Sequence, residues 1–157
     1  MTGAAASSVT LRAAQVSDWL AIAALLADAD LPLAGAREHL DDFIVAEGAG
    51  GTALGCAALE RYPAAAGAGA SGLLRSLAVA PDAHGLGLGT LLVQRVLDTA
   101  RAAGLADVTL LTTTAANYFP RFDFRVIPRD EAPTPVRDSL EFREACPDSA
   151  TVMTRAI

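Results

Sequence analysis

The stretch from Leu73 to Gly104 constrains the fold of this chain more than any other. It reads LLRSLAVAPDAHGLGLGTLLVQRVLDTARAAG. Its first part, Leu73 to Ala80, has the largely apolar pattern of a buried strand, which Pro81 ends. From Leu88 onward, apolar residues recur at helical spacing and form one apolar face. The sequence therefore predicts a strand, a glycine loop and a helix, an arrangement that presents backbone N–H groups and a positive helix end to phosphate.

The glycine loop contains glycines at positions 85, 87 and 89. This spacing does not match the dinucleotide-binding fingerprint, because the third glycine would have to stand at Thr90 or Leu92. Glycines before a helix also allow a helix and a strand to pack closely, and the loop alone leaves that alternative open. The loop therefore indicates an anion site without identifying the ligand.

Charge and composition exclude several classes of function. The net charge is −6 and no run of cations is present, which argues against a nucleic-acid partner. All 12 basic residues are arginine, so a P-loop, a pyridoxal-phosphate Schiff base and a lysine nucleophile are excluded. No apolar stretch reaches the roughly 18 residues of a membrane span. We expect one domain over residues 1–157, with residues 1–8 disordered.

The cysteines and histidines show no metal-ligand spacing. Cys56 and Cys146 have no CxxC partner, and His39 and His84 lie far apart in sequence. We therefore expect no metal and two reduced thiols in a cytoplasmic protein. Cys56 is predicted to lie in the core and His39 on a helix surface.

The element order predicts an α/β (α+β) fold with a central mixed β-sheet and helices on both faces. Ser17 is the predicted N-cap of the first helix, with Asp18 in its first turn. The predicted strands are 9–12, 43–47, 52–62, 73–80, 106–113, 124–127 and 150–155, of which the second and third form an antiparallel hairpin. Besides the first helix and the helix from Leu88, we expect short helices at 34–40 and 115–122 and a further one at 136–142.

The segment RSLAVAPDAHGLGLGTLL resembles the coenzyme-A loop of the GNAT acetyltransferases, in which Q/R-x-x-G-x-G/A follows a strand ending in L-x-V. The predicted element order also resembles that of the family and covers essentially the whole chain. The resemblance implies the GNAT acyl-CoA N-acyltransferase fold and acetyl-CoA as cofactor. In that family the loop N–H groups hold the pyrophosphate and the end of the strand holds the pantetheine arm. The implied cofactor-binding residues are Leu77, Ala78, Val79, His84, Gly85, Leu86, Gly87, Leu88, Gly89 and Thr90.

Two loop positions depart from the family pattern. His84 stands where arginine or glutamine is usual, and Leu86 stands where arginine is frequent. Cofactor binding is therefore expected to depend on backbone N–H groups and the helix end, with His84 contributing when it is protonated.

Four segments resemble a particular branch of the family, the arsenic-resistance-associated GNAT acetyltransferases, which are similar to the acetyltransferase domain of N-acetylglutamate synthases. These segments are LERY at 59–62, LLRSLAVAP at 73–81, LLTTTAANYFPRFDF at 110–124 and EACPDSATVM at 144–153. Relatives in this branch acetylate the α-amine of glutamate-like amino acids, including phosphinothricin and its arsenic analogue. The resemblance implies a small-molecule amine acceptor, with no nucleic-acid or membrane partner. A homodimer, a non-catalytic acyl-CoA-binding module and a protein N-acetyltransferase stay open as alternatives.

Three residues are candidates for the chemistry of acetyl transfer, which needs a neutral amine, donors for the oxyanion and a proton for the thiolate. The family pattern assigns the oxyanion donor to the backbone N–H of Leu77, a role that requires an irregular strand. Tyr118 is the candidate general acid, against the alternative of a packed aromatic residue. Glu60 is the candidate general base, against a solvated strand-end carboxylate, and water is a further alternative.

Arg75 is the leading candidate for substrate binding. By strand alternation it shares a face with Leu77, and an arginine in a buried strand needs a partner. That partner is either a substrate carboxylate, which fits the guanidinium fork, or an internal salt bridge to Glu60 or Glu47. Further candidates for the rim of the substrate pocket are Arg61, Thr112, Thr113 and Ser149.

Overall fold

The structure, a computed structural model, describes residues 9–63, 69–145 and 149–157. The disorder predicted for residues 1–8 and the predicted thiol of Cys146 lie outside these residues. The strands are β1 Thr10–Ala13, β2 Phe43–Glu47, β3 Ala53–Tyr62, β4 Ser71–Val79, β5 Asp107–Thr112, β6 Arg125–Ile127 and β7 Thr151–Ala156. The α-helices are α1 Trp19–Asp28, α2 Leu88–Ala102 and α3 Thr134–Arg137.

The strands form a seven-stranded sheet in the order β1-β2-β3-β4-β5-β7-β6. β4 and β5 are parallel, whereas β1 with β2, β2 with β3, β5 with β7, and β6 with β7 are antiparallel. The predicted mixed sheet and the predicted hairpin of β2 and β3 are therefore confirmed. The ladder between β4 and β5 spans Ser71 to Leu73, although β4 continues to Val79.

β4 is interrupted at Ser76, whose φ of +60° is left-handed. This conformation costs a residue with a side chain about 1–2 kcal/mol and breaks the regular alternation of a strand. The prediction that Arg75 and Leu77 share a face depended on that alternation, so it does not hold through Ser76.

The chain divides into two compact units, and one of the three boundaries along the chain falls between Arg75 and Ser76. The first contains the residues up to Ala58 together with Ser76–Val96, and the second contains Leu59–Arg75 and Leu97–Ile157. In the first unit, α1 packs its apolar face on β2, β3 and the end of β4, as its 3.6-residue periodicity requires. The buried residues of this core are Ile22, Leu25, Leu26, Ala36, Phe43, Val45, Cys56, Ala58 and Ala78.

The second unit has its own core around the first half of β4. Its buried residues are Leu73, Ile127, Ala132, Val136, Phe142 and Val152. Gly72 precedes Leu73 in β4, and a Cβ there would come within 2.7 Å of a Leu59 methyl and 2.9 Å of a Leu105 methyl. Glycine at this position therefore lets the neighbouring side chains approach the strand closely.

The N-terminus of α1 differs from the prediction. A 3-10 turn, Val16–Asp18, with Gln15 as its N-cap, precedes the helix. The N-cap of α1 itself is Asp18 rather than Ser17. The Asp18 carboxylate accepts hydrogen bonds from the Gln15 backbone N–H and from Arg12, each at 2.7 Å. The carboxylate thus fixes the turn from three residues away, as in a capping box.

Two of the predicted short helices are 3-10 turns in the structure. Arg37–Asp42 replaces the helix expected at 34–40, and Phe119–Phe122 replaces the one expected at 115–122. The second turn ends at Asp123 in a left-handed conformation, and Pro120 within it cannot donate a backbone hydrogen bond. His39 lies in the first turn, with its Nδ1 3.0 Å from an Asp42 carboxylate oxygen.

Candidate functional site

The glycine loop follows β4 and a 3-10 turn, Pro81–Ala83, in the first unit. Gly85 and Gly87 have φ of +87° and +78°, the region that favours glycine. A Cβ at either position would meet nothing within 4 Å, so these two glycines set the backbone conformation rather than allow close packing. The packing alternative is therefore wrong at these positions.

The loop leads directly into α2. Leu88, its first residue, is buried, and the Gly87 carbonyl accepts a bond of 3.2 Å from the Leu91 N–H. The first N–H groups of a helix have no partner within the helix, so those of Leu88, Gly89 and Thr90 are available to an anion. The structure thus places the predicted phosphate-binding residues at one helix end.

His84 lies at the start of the loop and folds back onto the end of β4. Its Nε2 donates a hydrogen bond of 2.9 Å to the Val79 carbonyl. The imidazole is exposed, so the contribution of His84 to phosphate binding stays a prediction. Leu86, which is 46% exposed, has no donor in its side chain.

The left-handed Ser76 gives β4 the irregularity that the proposed role of Leu77 requires. The next three residues, Leu77, Ala78 and Val79, still belong to β4, and the ladder to β5 has already ended at Leu73. Leu77 and Val79 are half-buried, whereas Ala78 lies in the core of the first unit. The role of the Leu77 N–H as oxyanion donor stays a prediction.

A cluster of buried charged side chains lies in the second unit. Glu60, Arg75 and Glu141 are 1%, 3% and 4% exposed, although charged residues are rarely buried without partners. Arg75 Nη1 is 3.1 Å from Glu60 Oε2, and its Nε is 3.5 Å from Glu141 Oε1. The hydroxyl of Tyr62 donates a short hydrogen bond to Glu60 Oε1. We call these four residues the buried charge cluster.

The buried charge cluster corrects two expectations. Glu60 is not a solvated strand-end carboxylate, because it is nearly inaccessible and two side chains donate to it. The guanidinium of Arg75 is fully buried in internal ion pairs and does not present itself to a substrate carboxylate. Its partners are Glu60 and Glu141, whereas Glu47 pairs with Arg12 at 3.1 Å.

Burial controls the protonation of this cluster. It raises the pKa of Glu141 to about 7, because removal from water penalises the carboxylate; Arg75 opposes this effect and Glu60 adds to it. Burial also raises the pKa of Tyr62, with its hydrogen bond to Glu60 as a further cause. With Glu141 protonated, Arg75 and Glu60 form a neutral pair.

Replacing Glu141 with glutamine is expected to stabilise the protein at high pH. As the pH rises from 4.5 to about 7, the unfolded chain releases this proton while the folded chain keeps it. The free energy of unfolding of the wild type therefore falls over this window and the penalty is constant above it. The variant lacks this penalty, so its stability relative to the wild type should rise by on the order of 1–3 kcal/mol across the window.

Urea unfolding of both proteins at pH values on either side of the window measures this difference. Glu131→Gln, at an exposed position, is the control for the loss of one negative charge. A constant difference between Glu141→Gln and the wild type at all pH values would contradict the assignment of the buried proton to Glu141.

Tyr118, the candidate general acid, has its ring contacts outside the buried charge cluster. Tyr118 packs edge-on against Phe119 and Phe122, with ring centroids 5.3 and 5.4 Å away, and Arg121 stacks over its ring at 4.4 Å. This environment matches the packed-aromatic alternative, and the general-acid role stays a prediction. Of the remaining four candidates, Arg61, Thr113 and Ser149 are exposed. Thr112 is half-buried, and its hydroxyl accepts a hydrogen bond of 2.9 Å from the Ala115 N–H.

Sequence reasoning missed two members of the buried charge cluster. Tyr62 stands two residues after Glu60 in β3, so strand alternation would have placed both on one face. Glu141 begins a π-helical turn, Glu141–Ala145, far along the chain from Arg75, and no local pattern indicates its partner.

Metal sites and membrane spans are absent from the described ranges. No group of three or more histidine, cysteine, aspartate or glutamate side chains could hold a metal ion there. No helix in those ranges has the length and apolarity to cross a membrane. Cys56 lies in the core as predicted, and burial raises the pKa of its thiol to about 12.

A family model described as Acetyltransferase (GNAT) domain matches residues 39–126, more than half of the chain. The amino-acid acetyltransferase of Neisseria meningitidis serogroup A is 32% identical over 132 residues, which is 80% of this chain and 29% of that protein. N-acetylglutamate synthase from Neisseria gonorrhoeae, solved with coenzyme A and N-acetyl-glutamate, is 28% identical with a TM-score of 0.77, covering 94% of this chain and 35% of that one. Rv2747 from Mycobacterium tuberculosis, solved in complex with CoA, is 26% identical with a TM-score of 0.76. The match covers 94% of this chain and 99% of that one.

The seven-stranded mixed sheet and these similarities define the class of protein as an acyltransferase. The chain belongs to the GNAT acetyltransferase family. The predicted fold and the predicted enzyme class are therefore confirmed. The chain spans about a third of the length of the two Neisseria proteins.

Proposed function

We propose that this chain transfers the acetyl group of acetyl-CoA to the amino group of a small, anionic amino-acid-like acceptor. The observation that carries the cofactor assignment is the interrupted strand β4 followed by the positive-φ glycine loop and the start of α2. This arrangement supplies backbone donors for a pyrophosphate without any lysine. Two similar structures, from Neisseria gonorrhoeae and Mycobacterium tuberculosis, were solved with coenzyme A, which supports the same cofactor here.

The acceptor class follows from the similar proteins rather than from a side chain of this one. One relative is an amino-acid acetyltransferase, and one structure is a synthase of N-acetylglutamate. Both names describe acetylation of an amino acid, which carries at least one carboxylate. The link to arsenic resistance, the cytoplasmic location and the homodimer stay predictions.

The proposed mechanism is direct attack on the thioester. The neutral amine of the acceptor attacks the acetyl carbon, the carbon–sulfur bond breaks, and the coenzyme A thiolate leaves and takes up a proton. The Leu77 N–H is the proposed donor to the oxyanion, because the left-handed Ser76 before it departs from regular strand geometry. The proton lost by the amine goes to Glu60, through the half-buried Tyr62 hydroxyl bonded to it, or to water.

A thiol-release assay with acetyl-CoA and a panel of amines tests the proposal. We expect faster release with glutamate and phosphinothricin than with polyamines, and mass spectrometry should find the N-acetyl product. Glutamate dimethyl ester is the matched control, because it keeps the amine and removes both carboxylates. Preference for the ester or for polyamines would contradict an anionic acceptor, and no release with any amine would favour a non-catalytic acyl-CoA-binding module.

A further inference from the structure

The stretch 76–94, which holds the end of β4, the glycine loop and the start of α2, carries almost no charge. Its sequence contains no arginine, and the side chains in it that can carry a charge are Asp82 and His84. Asp82 is exposed in the 3-10 turn directly before the loop, where a negative charge repels phosphate. The loop therefore has no permanent positive charge to offer to a phosphorylated cofactor.

His84 and Leu86 do not supply the missing cation. The Nε2 of His84 donates its hydrogen bond of 2.9 Å to the Val79 carbonyl, so that N–H is used within the chain. Leu86 stands between Gly85 and Gly87 with 46% of its surface exposed, and its side chain is apolar. The loop thus leaves phosphate binding to its backbone N–H groups.

The unit that carries the loop is negatively charged as a whole. By sequence, the first unit contains eight acidic side chains and three arginines, which is a formal net charge of −5. One of these arginines, Arg12, is paired with Asp18 at 2.7 Å and with Glu47 at 3.1 Å. Its charge is therefore already balanced by two carboxylates of the same unit.

The other two arginines of the first unit lie away from the loop in their contacts or along the helix. The guanidinium carbon of Arg37 lies 5.9 Å from the centre of the Trp19 ring. Arg95 stands seven residues after the start of α2, which is about 10 Å along the helix axis. That is beyond the first turn and about one Debye length from the helix start in 0.1 M salt. The first unit therefore places no cation at its loop.

We propose that this chain does not recognise the 3′-phosphate of coenzyme A and takes acetyl-dephospho-CoA, which lacks that phosphate, as an acetyl donor equal to acetyl-CoA. The proposal rests on the proposed function, because it takes the glycine loop as the holder of the pyrophosphate. A phosphate monoester carries about −1.5 to −2 charge at pH 7 and binds strongly where a cation shares its hydrogen bonds. Without that cation, and beside a negative unit, the 3′-phosphate stays hydrated and adds nothing to affinity.

The chemistry of acetyl transfer is the same with either donor. The amine attacks the acetyl carbon, the carbon–sulfur bond breaks, and the thiolate of CoA or of dephospho-CoA leaves and takes up a proton. The 3′-phosphate lies at the opposite end of the cofactor from the thioester and takes part in no bond change. A difference between the two donors therefore reports binding alone.

Isothermal titration of the purified full chain with CoA and, separately, with dephospho-CoA tests the proposal without an acceptor. At pH 8, where an ordinary histidine is neutral, the two Kd values should agree within about threefold. A charge-assisted bond of about 1.5–3 kcal/mol to the 3′-phosphate would separate them by about tenfold or more. A larger separation than threefold overturns the proposal and leaves the proposed function intact. Absence of binding by both contradicts the cofactor loop itself.

Thiol release with acetyl-CoA and with acetyl-dephospho-CoA then compares turnover of the same acceptor. The kcat/KM values should agree within about threefold, since each tenfold difference requires about 1.4 kcal/mol of selective binding. Release with acetyl-CoA but not with acetyl-dephospho-CoA overturns the proposal alone. Release with neither donor for any amine contradicts the proposed function instead.

Ionic strength gives a further readout of charge at the site. The Kd for CoA should stay constant or fall as sodium chloride rises from about 20 to about 200 mM, because salt screens the repulsion from a negative unit. Cations that hold the phosphates would give the opposite result. A rise of more than about threefold in Kd over this range therefore overturns the proposal.

Leu86→Arg places a cation in the loop, and Leu20→Arg is its matched control. Leu20 is 82% exposed on α1 of the same unit, so both variants change the net charge of that unit equally. Leu86→Arg should lower the Kd for CoA by about tenfold and make it rise with salt, whereas Leu20→Arg should behave like the wild type. Equal Kd values and equal salt dependence in the two variants would overturn the absence of a loop cation as the cause.

Discussion

Replacing Arg75 with methionine is expected to lower the free energy of unfolding by about 3–5 kcal/mol. The change leaves Glu60 and Glu141 buried without the cation that lies 3.1 and 3.5 Å from them. Removing one partner of a buried ion pair is costly, because the remaining charge has neither water nor a counterion. Domains of this size are stable by only about 5–15 kcal/mol, so urea unfolding should detect a large loss.

The matched control for this variant is Arg101→Met. Arg101 pairs with Asp98 at a similar distance of 3.0 Å, but the two side chains are 48% and 71% exposed. An exposed pair of this kind contributes about 0.2–1 kcal/mol or less. Equal losses in the two variants would contradict the cluster as a source of stability. A selective rise in the KM for the acceptor, with unchanged stability, would restore Arg75 as a substrate-binding residue.

Replacing Gly87 with alanine is expected to raise the KM for acetyl-CoA by about tenfold or more. Gly87 has a φ of +78°, which alanine adopts at a cost of about 1–2 kcal/mol. The loop relaxes away from the geometry in which its N–H groups face a pyrophosphate. The loss of one hydrogen bond to a charged group, about 1.5–3 kcal/mol, corresponds to that change in affinity.

Gly104→Ala is the control for backbone strain. Gly104 follows α2 and has a φ of +74°, and a Cβ there, as at Gly87, would meet no atom within 4 Å. Both variants should therefore lose similar stability, while only Gly87→Ala should weaken acetyl-CoA binding. Steady-state kinetics, with the acetyl-CoA concentration varied at a fixed acceptor concentration, measures the KM for acetyl-CoA of each variant. Equal KM values in the two variants would remove the loop from the cofactor site.

The elements that depend on local sequence were predictable. The apolar run before Pro81, the glycines of the loop and the helical spacing after Leu88 each act within a few residues. For the same reason β2 is observed at Phe43–Glu47, where it was predicted. The glycine loop before α2, which these elements form, was therefore visible in the sequence.

The features that depend on distant partners were not predictable. From the sequence alone, the partner of Arg75 could be either a substrate carboxylate or an internal carboxylate. The internal partner Glu141 lies much later in the chain, in an irregular segment, and no local pattern connects the two residues. The left-handed Ser76 carries no sequence signal, because serine has no preference for that conformation. The N-cap of α1 was misassigned by one residue, because Ser17 lies inside a 3-10 turn and the helix begins after Asp18.

The break in β4 at Ser76 lets one strand belong to two separate packing environments. Leu73, before the break, lies in the core with Ile127 and Val152, whereas Ala78, after it, lies in the core with Phe43. In an unbroken strand, an inserted or deleted residue would turn every later side chain to the opposite face. In β4, the left-handed Ser76 instead resets which side chains face each side of the sheet. The half that precedes Ser76 and the half that follows it can therefore change in sequence independently of each other.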